Sequence, residues 1–120
     1  MAGGLKIMVV DDDSNICELL RLYLEKEGFE AIIAPNGAKA LEMFDTEKPD
    51  LMLLDVMMPQ LDGIATMTRL REKSNVPVIL LTGHACMGVA VQGMDLGAYD
   101  YMLKPVSILS LIHISEPTRR

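Results

Sequence analysis

Short apolar runs alternate with segments of helical periodicity along most of the chain. Turn-forming or polar residues bound each run, as expected for strands buried inside a sheet. This pattern predicts five β-strands, at residues 5–10, 29–34, 51–54, 78–81 and 99–103.

The segments between the predicted strands carry apolar residues at helical spacing. Asp13 or Ser14 can cap the first helix, which Gly28 ends. The second helix follows the turn at 35–37, the third opens at Asp62-Gly63, and a weaker fourth runs to Gly97. The apolar residues at this spacing are Ile16, Leu19, Leu20, Tyr23 and Leu24 in the first helix and Ala40, Leu41 and Phe44 in the second. In the third helix, Ile64, Met67 and Leu70 are predicted to face inward.

Strands that alternate with helices predict an α/β fold, with a doubly wound, five-stranded parallel sheet covered on both faces. Ligands of such sheets bind beyond the carboxyl ends of the strands. The polar residues that follow predicted strands one, three, four and five therefore belong to one edge. They are Asp11-Asp12, Asp55, Thr82 and Lys104.

Composition narrows the class of protein. The 120 residues suffice for one domain, and a hydrophobic share of 50% excludes a disordered chain. A net charge of −6 argues against a nucleic-acid surface. Cys17 and Cys86 have neither metal-site nor disulfide spacing, and the sequence contains no apolar run of membrane-spanning length and no signal peptide. We therefore expect a cytoplasmic protein that binds neither a membrane nor nucleic acid.

The acidic residues at this edge indicate a cation. Carboxylates placed together repel one another, and Mg²⁺ relieves that repulsion through oxygen ligands. Asp55 could then act as a nucleophile toward phosphorus, with Lys104 and Thr82 neutralising phosphoryl oxygens. Taken singly, each residue also has a simpler explanation. Asp11–Asp13 could only cap the first helix, Thr82 could be a strand-end hydroxyl, and Lys104 a solvated charge.

Several motifs together resemble the response-regulator receiver domain of bacterial two-component signalling, over roughly residues 5–106. The matching segments are Val9-Val10-Asp11-Asp12-Asp13, Leu54-Asp55-Val56-Met57-Met58-Pro59, Asp62-Gly63, Leu81-Thr82-Gly83-His84, Gly97-Ala98-Tyr99-Asp100-Tyr101 and Lys104-Pro105. The resemblance implies a flavodoxin-like (βα)5 fold and a switch that promotes its own phosphorylation and dephosphorylation rather than a turnover enzyme.

The resemblance also implies a role for each site residue. Asp55 would accept a phosphoryl group from the phosphohistidine of a sensor histidine kinase or a phosphotransfer protein. Mg²⁺ would be held by Asp11, Asp12, Asp55 and the backbone carbonyl of Met57. The phosphate would be bound by Thr82, Gly83, Lys104 and Met57. Thr82 and Tyr101 would form the switch that remodels the surface of the fourth helix and fifth strand.

The carboxyl-terminal residues depart from the family pattern. We expect a receiver domain at 1–106 and an atypical tail at 107–120, because Pro117 stops a long helix. The fifth helix would then be atypical or truncated, and we hypothesise that the sequence from about residue 109 is foreign to the native gene. A homodimer through the fourth helix, fifth strand and fifth helix is the family's usual assembly.

Two other functions remain open. A degenerate receiver would bind partners without phosphorylation. A phosphatase of the haloacid-dehalogenase type would use Asp11 as nucleophile and Asp13 as acid and base. Asn15 departs from that family's motif, only Glu116 follows Lys104 as a further acidic residue, and Asp55 would be unexplained. The substitution Asp55→Asn separates the three functions.

Overall fold

A computed structural model describes residues 5–56, 63–82, 92 and 94–103, with only the backbone described at 100–103. It contains an α/β unit in which strands and helices alternate, as predicted. The elements are β1 (Lys6–Val10), α1 (Ser14–Lys26), β2 (Glu30–Ala34), α2 (Gly37–Glu47), β3 (Leu51–Asp55), α3 (Gly63–Arg71), β4 (Val78–Thr82) and β5 (Asp100–Leu103).

The five strands form one parallel sheet in the order β2-β1-β3-β4-β5. This order confirms the predicted flavodoxin-like fold, whose ligands bind where the order reverses between β1 and β3. Val10 pairs with Leu54 in the register of these two strands, and Asp55 pairs with Leu81 of β4. The residues that follow β1 and those that end β3 and β4 therefore lie at one edge, which we call the carboxyl edge.

Alternating strand residues build a core on each face of the sheet. One core contains Met8, Met52 and Leu80 and packs against α2 and α3. The other contains Val9 and Leu53 and packs against α1. All five residues of β4 are buried, which explains why its sequence is a nearly continuous apolar run rather than an alternating one.

Helix ends follow the polar residues of the turns. Asp13 is the N-cap of α1, because its side chain accepts hydrogen bonds from the N–H groups of Asn15 and Ile16. Asn36 caps α2 in the same way, through the N–H of Lys39. Beyond α1 the chain turns at Gly28, which as a glycine can adopt its φ of 96° without strain.

One of the apolar residues at helical spacing on α1 does not face the core. Leu19 is 64% exposed, whereas Cys17 is buried beside Leu20 and Leu24. Positions 17, 20 and 24 are three and four residues apart and share one helix face, from which position 19 is turned away. The buried face of α1 is therefore formed by Cys17, Leu20 and Leu24, and Leu19 lies outside it.

Element boundaries differ from the predictions by about one residue. β1, β2 and β5 each begin one residue later than expected, after Leu5, Phe29 and Tyr99. β3 and β4 extend to include Asp55 and Thr82. Residues 92, 94 and 95 are helical, and the fourth helix gives way to a turn at Gly97, as predicted. The fifth helix and the tail at 107–120 lie outside the described residues. In the part of the chain that is described, no helix is long and apolar enough to span a bilayer.

Candidate phosphoryl-acceptor and metal site

Three aspartates meet at the carboxyl edge of the sheet. Asp11 and Asp12 directly follow β1, and Asp55 is the last residue of β3. One carboxylate oxygen from each lies within 4.8 Å of the corresponding oxygen of the other two. Asp11 and Asp55 are buried, whereas Asp12 is exposed. The switch point of the sheet therefore concentrates negative charge where the fold family binds ligands.

The spacing of these oxygens suits a small divalent cation. Opposite ligands of Mg²⁺ are separated by about 4.2 Å, twice its usual bond length to oxygen. The limit of 4.8 Å between the three carboxylate oxygens is close to that value, and side-chain rotation can close the difference. All the donors are oxygen atoms, which Mg²⁺ prefers, and the exposure of Asp12 leaves room for the waters that Mg²⁺ usually keeps. The residues at this edge therefore fit the cation that the sequence predicts.

The consecutive aspartates after β1 have separate local roles. Asp11 accepts a hydrogen bond from the Asp13 N–H on Oδ1 at 3.0 Å, and its own N–H donates to the Ala34 carbonyl at 3.2 Å. Asp13 points its carboxylate at the first turn of α1 as the N-cap. The simpler explanation of helix capping thus holds for Asp13, while Asp11 and Asp12 are grouped with Asp55.

Thr82 is the last residue of β4 and is buried at the same edge. It stands one position beyond Leu81, the register partner of Asp55, and it pairs with Leu103 of β5. Lys104 follows Leu103 in sequence but lies outside the described residues, as do Met57 and Gly83. Tyr101 is on β5, where only the backbone is described, paired with Leu80.

Gly63 brings α3 against the end of β3. Its N–H donates to the Val56 carbonyl at 3.2 Å. A Cβ at this position would lie 2.5 Å from the Val56 Cα and 2.7 Å from the Asp55 carbonyl oxygen. The sequence analysis placed Gly63 at the start of a helix and in a segment that matches the receiver family, and its close approach to Asp55 emerges from the tertiary structure.

Cys17 also contacts the acidic turn, which the sequence did not predict. Its thiol donates to the backbone carbonyl of Asp11 at 3.3 Å. Burial raises the pKa of this thiol to about 11, and the charges of Asp11 and Asp13 add to the increase. Cys17 is therefore a protonated donor at neutral pH rather than a reactive thiolate.

Comparison with known proteins agrees with this arrangement. The family model described as "Response regulator receiver domain" matches residues 7–116. Over 103 residues the chain is 48% identical to the alkaline phosphatase synthesis transcriptional regulatory protein PhoP of Bacillus subtilis, covering 85% of this chain and 43% of that protein. It is 43% identical over 105 residues to the transcriptional regulatory protein CseB of Streptomyces coelicolor, covering 88% and 45%. The chain thus spans less than half the length of these curated relatives.

Solved structures show the same likeness in three dimensions. The receiver domain of a Francisella response regulator superposes with a TM-score of 0.83 at 35% identity, covering 91% of each chain. The receiver domain of NtrX from Brucella abortus gives a TM-score of 0.83 at 32% identity, covering 90% of this chain and 92% of that one. With its fold, its acidic edge and its family match in agreement, the chain belongs to the response-regulator receiver domains of two-component signalling.

Proposed function

We propose that this domain is a phosphorylation-dependent signalling switch in which Asp55 accepts a phosphoryl group from a sensor histidine kinase or a phosphotransfer protein. The observation that carries the proposal is the grouping of Asp11, Asp12 and Asp55 within 4.8 Å at the carboxyl edge. Membership of the receiver family supports it independently. The cytoplasm, expected from the sequence, is the compartment in which we place this exchange.

Asp11, Asp12 and Asp55 would hold Mg²⁺, with the backbone carbonyl of Met57 as the further ligand that the family resemblance implies. The cation supplies positive charge beside the phosphoryl oxygens and offsets the repulsion among the three carboxylates. Burial of Asp11 and Asp55 strengthens this effect, because charges interact more strongly away from water.

Asp55 performs the bond-forming step. A carboxylate oxygen of Asp55 attacks phosphorus, and the bond between phosphorus and the phosphohistidine nitrogen breaks as the new P–O bond forms. The imidazole leaves with the electron pair of the broken bond and takes up a proton. Thr82, the backbone N–H of Gly83 and Lys104 stabilise the charge on the transferring group.

Thr82 and Tyr101 convert phosphorylation into a surface change. Thr82 is buried at the end of β4, and Tyr101 is on the neighbouring strand β5. We propose that Thr82 moves toward the phosphoryl group and Tyr101 turns inward, which changes the surface of the fourth helix and β5. The homodimer expected through this surface stays a prediction.

The test is intact-mass spectrometry after incubation with acetyl phosphate and Mg²⁺. We expect the mass of one phosphoryl group to be added to the wild-type chain, and no addition in EDTA or in Asp55→Asn. Asp45→Asn is the matched control, because Asp45 is an exposed aspartate on α2, paired with Lys73. It should be phosphorylated like the wild type.

The same experiment separates the alternatives. A degenerate receiver would gain no mass under any condition although it is folded. A phosphatase that used Asp11 would retain its phosphoryl transfer in Asp55→Asn and lose it in Asp11→Asn. Either result would refute the proposed function.

A further inference from the structure

Cys17 is joined to the acidic turn by both of its hydrogen-bond donors. Its thiol donates to the Asp11 carbonyl at 3.3 Å, and its backbone N–H donates to the Asp13 carbonyl at 3.0 Å. The residue is 4% exposed and lies in the core between α1 and the sheet. It is therefore placed both to pack against β1 and to hold the turn that follows β1.

The Asp11 backbone is held from two sides. Its N–H donates to the Ala34 carbonyl of β2 at 3.2 Å, and its carbonyl accepts from Cys17. The Asp11 carbonyl belongs to the peptide group that also contains the N–H of Asp12. A hydrogen bond to that carbonyl limits rotation of the peptide plane. The orientation of this plane sets the position of the Asp12 Cα and therefore the direction in which the Asp12 side chain leaves the backbone.

We propose that Cys17 is a positioning residue, which orients the peptide plane between Asp11 and Asp12 and so directs the Asp12 carboxylate toward Asp11 and Asp55. The inference rests on the proposed function in one respect, namely that these carboxylates bind Mg²⁺. Groups that hydrogen-bond to metal ligands commonly tune affinity in this way, without touching the metal.

A purely structural role for Cys17 predicts a different ranking of Cys17→Val and Cys17→Ser in stability and in Mg²⁺ affinity. Cys17→Val fills a similar apolar volume but has no donor, whereas Cys17→Ser keeps a donor and introduces a hydroxyl into an apolar core. Packing alone would favour valine and penalise serine in both stability and Mg²⁺ affinity. A positioning role predicts that stability and Mg²⁺ affinity change independently. Cys17→Ser would then be less stable than the wild type but would still bind Mg²⁺ normally.

The experiment is a calorimetric titration of each metal-free chain with Mg²⁺, alongside thermal melts in EDTA. We expect Cys17→Val to melt near the wild type and to bind Mg²⁺ about tenfold more weakly, the lower end for such supporting residues. Cys17→Ser should melt at a lower temperature and retain an affinity within about twofold of the wild type, since its donor is kept. Leu24→Val, a conservative change on the same buried face, should lower the melting temperature without changing the affinity.

A second measurement detects the hydrogen bond without metal. The backbone ¹⁵N resonance of Asp12 reports the hydrogen bonding of the Asp11 carbonyl in the same peptide group. It should shift in Cys17→Val and stay close to the wild type in Cys17→Ser.

Equal Mg²⁺ affinity in all Cys17 variants, beside normal binding by the wild type, would overturn the positioning role and leave the proposed function intact. A folded wild-type chain that binds no Mg²⁺ would overturn both.

Discussion

The two edges of the sheet differ in how their charged groups are arranged. At the carboxyl edge, three carboxylates lie within 4.8 Å of one another. At the opposite, amino edge, unlike groups are paired. The Lys6 backbone N–H donates to the Asp50 carboxylate at 2.8 Å, and the Lys6 ammonium donates to the Glu47 carbonyl at 3.1 Å. The carboxyl edge, where we propose that Mg²⁺ binds, thus brings like charges together, whereas each of these charged groups at the amino edge has a hydrogen-bond partner.

Arg71 makes further hydrogen bonds at the amino edge. Its guanidinium donates to the carbonyls of Ser74, Val76 and Gly97 at 2.9–3.0 Å. These carbonyls belong to the segments before β4 and β5, so one side chain joins the end of α3 to both. Partial burial lowers the pKa of Arg71, but the guanidinium remains charged at any physiological pH.

The largest effect we predict is at Gly63, on the carboxyl edge. Gly63→Ala should lower the free energy of unfolding by about 2–3 kcal/mol, because its Cβ would overlap backbone atoms that have little freedom to move. It should also weaken phosphorylation, since the displaced atoms adjoin Asp55. Chemical denaturation measures the first effect and intact mass the second.

Gly28→Ala is the control for Gly63→Ala. Nothing lies within 4 Å of a Cβ at Gly28, and only its φ of 96° opposes a side chain. We expect a loss of about 1 kcal/mol and normal phosphorylation. Because Gly63, unlike Gly28, has no positive φ, equal losses at the two glycines would contradict the expected overlap between its Cβ and the backbone of β3.

The next effect is at the amino edge. Arg71→Met should lower the free energy of unfolding by about 2 kcal/mol, because three carbonyls lose a charged donor that water replaces only in part. Mg²⁺ affinity, measured by titration, should stay at the wild-type value. Arg69→Met, a change at an exposed position of α3, should alter stability by less than about 0.5 kcal/mol. Loss of Mg²⁺ binding in Arg71→Met would contradict the independence of the two edges.

The smallest effects that we predict are those of removing one negative charge at each edge, and they compare the two edges directly. In EDTA, Asp12→Asn should raise the free energy of unfolding by about 0.5 kcal/mol, because it removes one of three neighbouring negative charges. Asp50→Asn should lower it by about 0.5 kcal/mol, because the acceptor for Lys6 loses its charge. Denaturation curves without metal measure both. Changes of the same sign would contradict the proposed difference between the edges.

The strand pattern was predictable because β1, β3 and β4 are largely apolar runs, and Asp11, Asp12, Asp55 and Thr82 were predictable because each follows or ends such a run. Their convergence follows from parallel topology alone. The exposure of Leu19 could not be predicted, because its spacing fits a broad apolar face and only the packing of α1 on the sheet shows which of these positions are buried.

The roles of Cys17, Gly63 and Arg71 could not be predicted from residue types. Their partners are backbone atoms, namely the Asp11 carbonyl, the backbone at Asp55 and Val56, and the carbonyls joined by Arg71. Every residue carries the same backbone groups, so the sequence holds no sign of which carbonyl will meet a donor.

The strand order has a kinetic consequence. β1 and β3 are neighbours in the sheet, although β2 and two helices separate them in sequence. Asp11 and Asp55 therefore meet only when a long loop closes, and such non-local pairing forms slowly during folding. A chain that has formed β1, α1 and β2 alone has one part of the acceptor site and lacks Asp55. If Asp55 is the phosphoryl acceptor, as we propose, its phosphorylation requires the assembled sheet and would report completed folding after dilution from denaturant.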